Sequence, residues 1–187
     1  MSLTQTDYTE LKATLDAFAA ELPTVASTAK LIVERLHAGK TVFACGNGGS
    51  ATDSMHLCEE LVGRYRHNRR PLPAVSLNTD TSVLTCIAND YGYDVIFSRQ
   101  IEALGQARDI LVGFSTSGNS ANIYKAFEAA KAKNITTILL SGKDGGRIQA
   151  IADYSIIVPS SNTARIQELH TFILHNWLEH VEVEDWS

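Results

Sequence analysis

The chain has 187 residues, 44% of them apolar and 20% charged, with a formal net charge of −5. That balance is ordinary for a globular protein with enough interior to fold unaided. It also lacks the basic footprint that nucleic-acid binding requires. No apolar run reaches the ~20 residues needed to span a bilayer, and no charged-then-apolar leader opens the chain. The reading is a cytoplasmic protein with neither nucleic acid nor membrane as partner. Cys45, Cys58 and Cys86 form no C-x-x-C pair, and their apolar neighbours predict reduced, mostly buried thiols.

Residues 7 to about 37 read as helical, with Leu11, Leu15, Phe18, Ala19 and Leu22 recurring at helical steps. Pro23 divides two helices, because proline suits a first turn and not an interior. The second helix ends at Gly39. From Lys40 the pattern changes. Apolar strands at Thr41–Cys45, Ala74–Leu77, Ile110–Phe114, Thr136–Leu140 and Tyr154–Val158 alternate with helical segments near 50–65, 80–89, 94–104, 120–133 and 146–152. A last helix runs from about Ala164 to Glu182. Strands that are continuously apolar are expected to be covered on both faces of a parallel sheet. The fold class is therefore α/β, a three-layer sandwich on a five-stranded parallel sheet with added N-terminal helices. Ligands of such sheets sit beyond the carboxyl ends of the strands, near a switch in strand order. That singles out loops 45–50, 77–80, 113–120 and 140–146.

The most informative stretch is Asp109 to Ser120, D-I-L-V-G-F-S-T-S-G-N-S. A buried strand empties into the hydroxyls Ser115, Thr116, Ser117 and Ser120, and a helix opens near Asn119. Hydroxyl donors together with the free N–H groups and dipole of a helix N-terminus make an anion site, with phosphate the natural guest. The bland alternative is a serine cap. Four hydroxyls in six residues argue against it.

The loop Cys45-Gly46-Asn47-Gly48-Gly49-Ser50-Ala51 fits the loose dinucleotide fingerprint. The acidic residue expected about twenty positions later is missing, so a nicotinamide cofactor is disfavoured. A tight turn that brings backbone close to a small polar ligand, helped by Asn47 and Ser50, is the better reading. On the following helix His56 and Glu60 are four apart and share a face. The last helix offers Gln167 and His175, separated by two turns plus about 80° and about 12 Å of rise. They meet at one point only if both side chains stretch, or if one comes from another copy of the chain. The His, Glu, Gln and His side chains make an N/O set suited to zinc. His170, His37 and His180 read as core or interface histidines. Asn89-Asp90, before Tyr91-Gly92, reads as a turn or as a grip on polyol hydroxyls. The cluster Arg64, Arg66, His67, Arg69 and Arg70 reads as a solvated loop.

Taken together, C-G-N-G-G-S at 45–50, H-L-C-E-E-L-V-G-R-Y at 56–65, A-N-D-Y-G at 88–92, S-T-S-G-N-S-A-N at 115–122, S-G-K-D-G-G at 141–146 and A-R-I-Q-E-L-H at 164–170 with His175 resemble the sugar isomerase (SIS) domain superfamily. Within it they resemble the phosphoheptose isomerase family, over nearly the whole chain. The resemblance implies a flavodoxin-like SIS fold in one domain spanning 1–187, with residues 1–39 packing on the core and in the oligomer. It implies a homotetramer with sites at subunit interfaces and one Zn²⁺ per subunit on His56, Glu60, Gln167 and His175. It implies sugar contacts at Asn47, Gly48, Gly49, Ser50, Glu60, Arg64, Asn89, Asp90 and Gln167. Phosphate contacts fall at Ser115, Thr116, Ser117 and Ser120, and Glu60 with His175 forms the proton-transfer pair. Some members carry an acidic residue where this chain has Ala164, so no role for that carboxylate operates here.

The implied reaction converts sedoheptulose 7-phosphate to D-glycero-D-manno-heptose 7-phosphate through an enediol, the first step of ADP/GDP-heptose formation for lipopolysaccharide or another surface glycan. Two alternatives stand beside it. One is a non-catalytic SIS protein that binds the replication initiator, a group in which the glutamate of H-x-x-x-E is typically lost. The other is an isomerase of a different ketose phosphate, which fold alone does not separate.

Overall fold

Ser2 accepts a hydrogen bond from the Gln5 N–H and so starts helix α1 (Leu3–Phe18) four residues earlier than periodicity alone indicates. A 3₁₀ turn at Ala19–Glu21 follows. Pro23 then lies in the first turn of α2 (Leu22–His37), where its missing N–H costs no helical bond. The computed structural model describes residues 2–186.

Five strands, β1 (Val42–Gly46), β2 (Ala74–Ser76), β3 (Ile110–Ser115), β4 (Thr136–Gly142) and β5 (Tyr154–Val158), form one parallel sheet in the order β2-β1-β3-β4-β5. The helices between them are α3 (Gly49–Val62), α4 (Thr81–Tyr91), α5 (Ser98–Leu104), α6 (Ala121–Ala132) and α7 (Gly146–Gln149), with α8 (Thr163–Glu182) last. Side chains alternate through the sheet. Val42, Ala44, Val112 and Phe114 join the core under α2, α3 and α8, whereas Phe43, Cys45 and Leu111 join the core under α5 and α6. The α/β three-layer arrangement is thus the one the strand pattern predicts. No helix among the described residues is long and apolar enough to cross a membrane.

Several expectations need correction. Coverage on both faces holds for β1 and β3, while the edge strands β2 and β5 leave Val75 and Tyr154 exposed. Asn89 and Asp90 lie inside α4 and not in a turn; the chain turns at Gly92, whose φ is 92°. Cys45 and Cys58 are buried, but Cys86 is exposed. Burial drives both interior thiols far from ionisation, that of Cys58 up to about 12.

His170 is a core histidine. It is fully buried, its ring lies edge-on to Phe114, and Nε2 lies 3.3 Å from the Ser141 carbonyl oxygen. Desolvation lowers its pKa to about 4 from an ordinary 6.5. The unfolded chain therefore takes up this proton first, so the contribution is intact above pH 6.5 and is lost as pH falls toward 4. His170→Gln is expected to flatten the acid limb of the stability profile by on the order of 2 kcal/mol between pH 7 and 4. Urea unfolding across that range measures it, and a limb as steep as the parent's would refute the assignment.

Candidate active site at the crevice between β1 and β3

Strand order reverses between β1 and β3, and the loops that follow these two strands carry most of the candidate residues. Ser115 ends β3 and its carbonyl oxygen accepts from Ser141 Oγ at 2.7 Å. Ser120 occupies the N-cap position of α6, but its hydroxyl turns to Ser115 Oγ at 3.3 Å and does not cap the helix. A capping serine is therefore not its role, and the Ala121 and Asn122 N–H groups at the start of α6 keep their capacity for an anion, while that of Ile123 is taken by Asn122 Oδ1. Gly118 has φ 62°, and a Cβ there would collide with the Gly145 carbonyl. Asn119 bridges the same two loops, donating to the Ser117 carbonyl oxygen at 2.8 Å and accepting from Arg147 N at 3.1 Å. The S-G-K-D-G-G segment thus braces the hydroxyl loop from behind.

Across the crevice, the Asn78 side chain continues the ladder of β1, accepting from Gly46 N at 3.1 Å and donating to Gly46 O at 2.9 Å. This holds the glycine loop in place. Gly49 opens α3, and a Cβ there would lie 2.6 Å from Gln167 Nε2. The glycine therefore lets the Gln167 carboxamide rest against the loop. Ser50 is buried in the first turn of α3.

Helices α3 and α8 pack side by side, with matching residues at successive levels. Gly49 meets Gln167, Asp53 meets Thr171 at 3.5 Å, and His56 meets His175 with ring centroids 5.0 Å apart. Spacings of four, three and four along α3 put Gly49, Asp53, His56 and Glu60 on one stripe. Glu60 Oε1 lies 3.6 Å from His56 Nε2. Among the described residues, His56, Glu59 and Glu60 offer ligand atoms within 4.8 Å of one another. His175 packs on His56 on one side and on the Tyr65 ring, 6.0 Å away, on another. Burial, and next the neighbouring His56, hold its pKa below the ordinary histidine value. Within one chain His56, Glu60 and His175 come together, while Gln167 lies at the Gly49 level.

The basic segment after α3 is not a freely solvated loop. Arg69 donates to the carbonyl oxygens of Glu60 at 2.7 Å and Leu61 at 2.9 Å, capping the end of α3. Arg66 pairs with Glu179, and Arg70 lies over Trp186. Arg64 is exposed just past the helix end, and Asn89 and Asp90 are exposed on α4, bonded to each other at 2.7 Å.

Residues 8–142 match the family model for the SIS domain. The chain is 52% identical to the phosphoheptose isomerase of Helicobacter pylori strain P12 over 145 residues, 78% of this chain and 76% of that one. It is 49% identical to the phosphoheptose isomerase of Shewanella sp. strain ANA-3 over 171 residues, 90% of this chain and 87% of that one. The structure of phosphoheptose isomerase from Neisseria gonorrhoeae superposes with a TM-score of 0.91 at 39% identity, covering 97% of each chain. The chain belongs to the SIS domain family, among the phosphoheptose isomerases.

In this phosphoheptose isomerase fold, Asp53 is a site-facing carboxylate that the sequence reading passed over. Its spacing from His56 and from the glycine loop was the available signal. The carboxylate is half-buried, its Oδ2 has no hydrogen-bond partner among the described residues, and burial raises its pKa to about 6 from 3.8. The folded state thus holds this proton more tightly than the unfolded one. Asp53 costs stability above about pH 6, and the cost vanishes as pH falls toward 4. Asp53→Asn in chelator-treated protein is expected to raise the Tm at pH 7.5 by about 2–4 °C and to leave it nearly unchanged at pH 4. Thermal melts at the two pH values check this.

Proposed function

We propose that the protein interconverts sedoheptulose 7-phosphate and D-glycero-D-manno-heptose 7-phosphate. The observation that carries the reading is the carboxylate of Glu60 set 3.6 Å from the His56 imidazole, with His175 packed on His56, on the helix that follows the glycine loop. The substrate phosphate binds Ser115, Thr116, Ser117 and Ser120 and the N-terminus of α6. The sugar chain runs toward α3 along Asn47, Gly48, Gly49 and Gln167, with Ser50, Arg64, Asn89 and Asp90 completing its surroundings.

Ketose-to-aldose conversion moves a hydrogen from C1 to C2 and a proton from O1 to O2. Glu60 takes the C1 proton as a general base, giving the enediol, and returns it to C2. His175 carries the proton between O1 and O2. Phosphate binding far from the reacting carbons supplies the orientation.

The nitrogen and oxygen donors of His56, Glu60 and His175 fit a divalent ion with N/O preference. In this reading zinc would be held by these three with Gln167, and the set would loosen when substrate arrives so that Glu60 and His175 are free to move protons. Bound there, the ion would polarise the carbonyl and its neighbouring hydroxyl. Gln167 lies at the Gly49 level, which supports a set that closes by side-chain extension or with a residue from a second subunit. The proposal therefore includes a homotetramer with shared sites and α1 and α2 in the contacts, the whole chain acting as one domain. Three unpaired cysteines suit a cytoplasmic setting.

Glu60→Gln is expected to lower kcat on sedoheptulose 7-phosphate by about 10²-fold or more; unchanged turnover in a coupled assay would remove Glu60 from the chemistry. Chelation should abolish most activity, with Zn²⁺ restoring it, and metal analysis of the purified protein should give one equivalent per chain. Full activity in metal-free protein would overturn the zinc assignment.

A further inference from the structure

Asn122 lies in the first turn of α6, is almost fully buried, and faces Asn47 across the crevice. The two carboxamides pair reciprocally. Asn47 Nδ2 donates to Asn122 Oδ1 at 3.0 Å, and Asn122 Nδ2 donates to Asn47 Oδ1 at 2.8 Å. Asn122 Oδ1 also accepts from Ile123 N at 2.9 Å, which fixes the orientation of its amide. The hydroxyl of Tyr93, in the 3₁₀ turn after α4, donates to the same Asn47 Oδ1 at 2.8 Å.

Asn47 Oδ1 thus accepts two hydrogen bonds, the full capacity of an amide oxygen, and Asn47 keeps one N–H for a ligand. Its side chain can donate to a sugar hydroxyl but cannot accept from one. The triad also joins three pieces of chain: the glycine loop after β1, the N-terminus of the phosphate-loop helix, and the segment following Asn89 and Asp90. In the reading above, the first grips the sugar and the second the phosphate, so the separation of those two grips is set by the paired amides.

We propose that Asn122 and Tyr93 are positioning residues that act through Asn47, fixing the span between phosphate grip and sugar grip and thereby the length of ketose phosphate the site accepts. The proposal rests on the sugar-phosphate isomerase reading. Asn122→Asp keeps the side-chain volume and the oxygen that accepts from Asn47 Nδ2 and Ile123 N. It replaces the amide donor with an oxygen facing Asn47 Oδ1. Tyr93→Phe removes one donor from an exposed ring.

The test is kcat and KM of the metal-loaded enzymes on ketose phosphates of seven, six and five carbons, with the Kd of inorganic phosphate measured by calorimetry. Asn122→Asp should raise the KM for the seven-carbon substrate about tenfold, with kcat held within about threefold. The kcat/KM preference for seven carbons over five should shrink, and phosphate affinity should stay within about twofold of the parent. Tyr93→Phe should repeat the pattern at about threefold in KM, and it decides the matter if Asn122→Asp fails to fold. A phosphate Kd that rises in step with KM overturns the proposal, since Asn122 would then merely shape the phosphate helix. An unchanged chain-length preference overturns it as well. Absence of turnover by the parent on every ketose phosphate would instead bring down the isomerase reading beneath it.

Discussion

Strand β1 pairs with β2 on one side and β3 on the other, and the chain leaves β1 and β3 in opposite directions along the sheet. Parallel neighbours whose following connections diverge leave a gap at their carboxyl ends that side chains from the sheet do not fill. The glycine loop and the hydroxyl loop hang over that gap, and Gly46 and Phe114, partners in register, set their closest approach. Both loops lean on polar side chains from adjoining strand ends, Asn78 beyond β2 and Ser141 in β4. The position of the crevice is thus a consequence of strand order, and its shape a consequence of a few buried hydrogen bonds.

The second constraint is the packing of α8 on α3. It places functional groups at separate heights along one seam, with Gln167 at the glycine loop, Thr171 beside Asp53, and His175 beside His56 and Glu60. The His175 end of the seam is secured from two sides. The indole of Trp177 on α8 donates to Val25 O and Thr28 Oγ1 of α2. At the same end Arg69 caps α3 at Glu60, and Tyr65 donates to Glu179 while its ring packs on His175. The basic segment 64–70 therefore serves the site through its anchors as much as through its charge.

Polar side chains tie the chain together at both ends of the sheet. At the amino ends of the strands, Asp109 accepts from Thr41 N and Gln106 N, and Asp153 accepts from Thr137 through both its N–H and its hydroxyl. Near the carboxyl ends and the α3–α8 seam, Asp53 Oδ2 and His170 Nδ1 lack partners among the described residues. Buried groups are ordinarily paired because an unpaired one loses its water without compensation. Of these two, Asp53 shares a stripe of α3 with His56 and Glu60, whereas His170 is buried in the core.

Periodicity and turn chemistry, which are local, were enough to find every strand, to divide the first two helices at Pro23, and to put the glycine and hydroxyl loops at the carboxyl ends of β1 and β3. The quoted motifs were enough to point to the family. Local patterns could not tell an edge strand from a central one, so the exposure of Val75 and Tyr154 escaped them. Nor could they tell a helical Asn89-Asp90 from a turn, since the stop signal, Gly92, lies two residues further on. Partners distant in sequence were equally out of reach. Asp53 facing Thr171, Arg69 reaching back to Glu60, and the amide pair of Asn47 with Asn122 each depend on which helix lies beside which. A chain specifies its own helical and extended segments through neighbouring residues. The meeting of side chains from separate segments is set by how those segments pack, and that was decided by the tertiary structure alone.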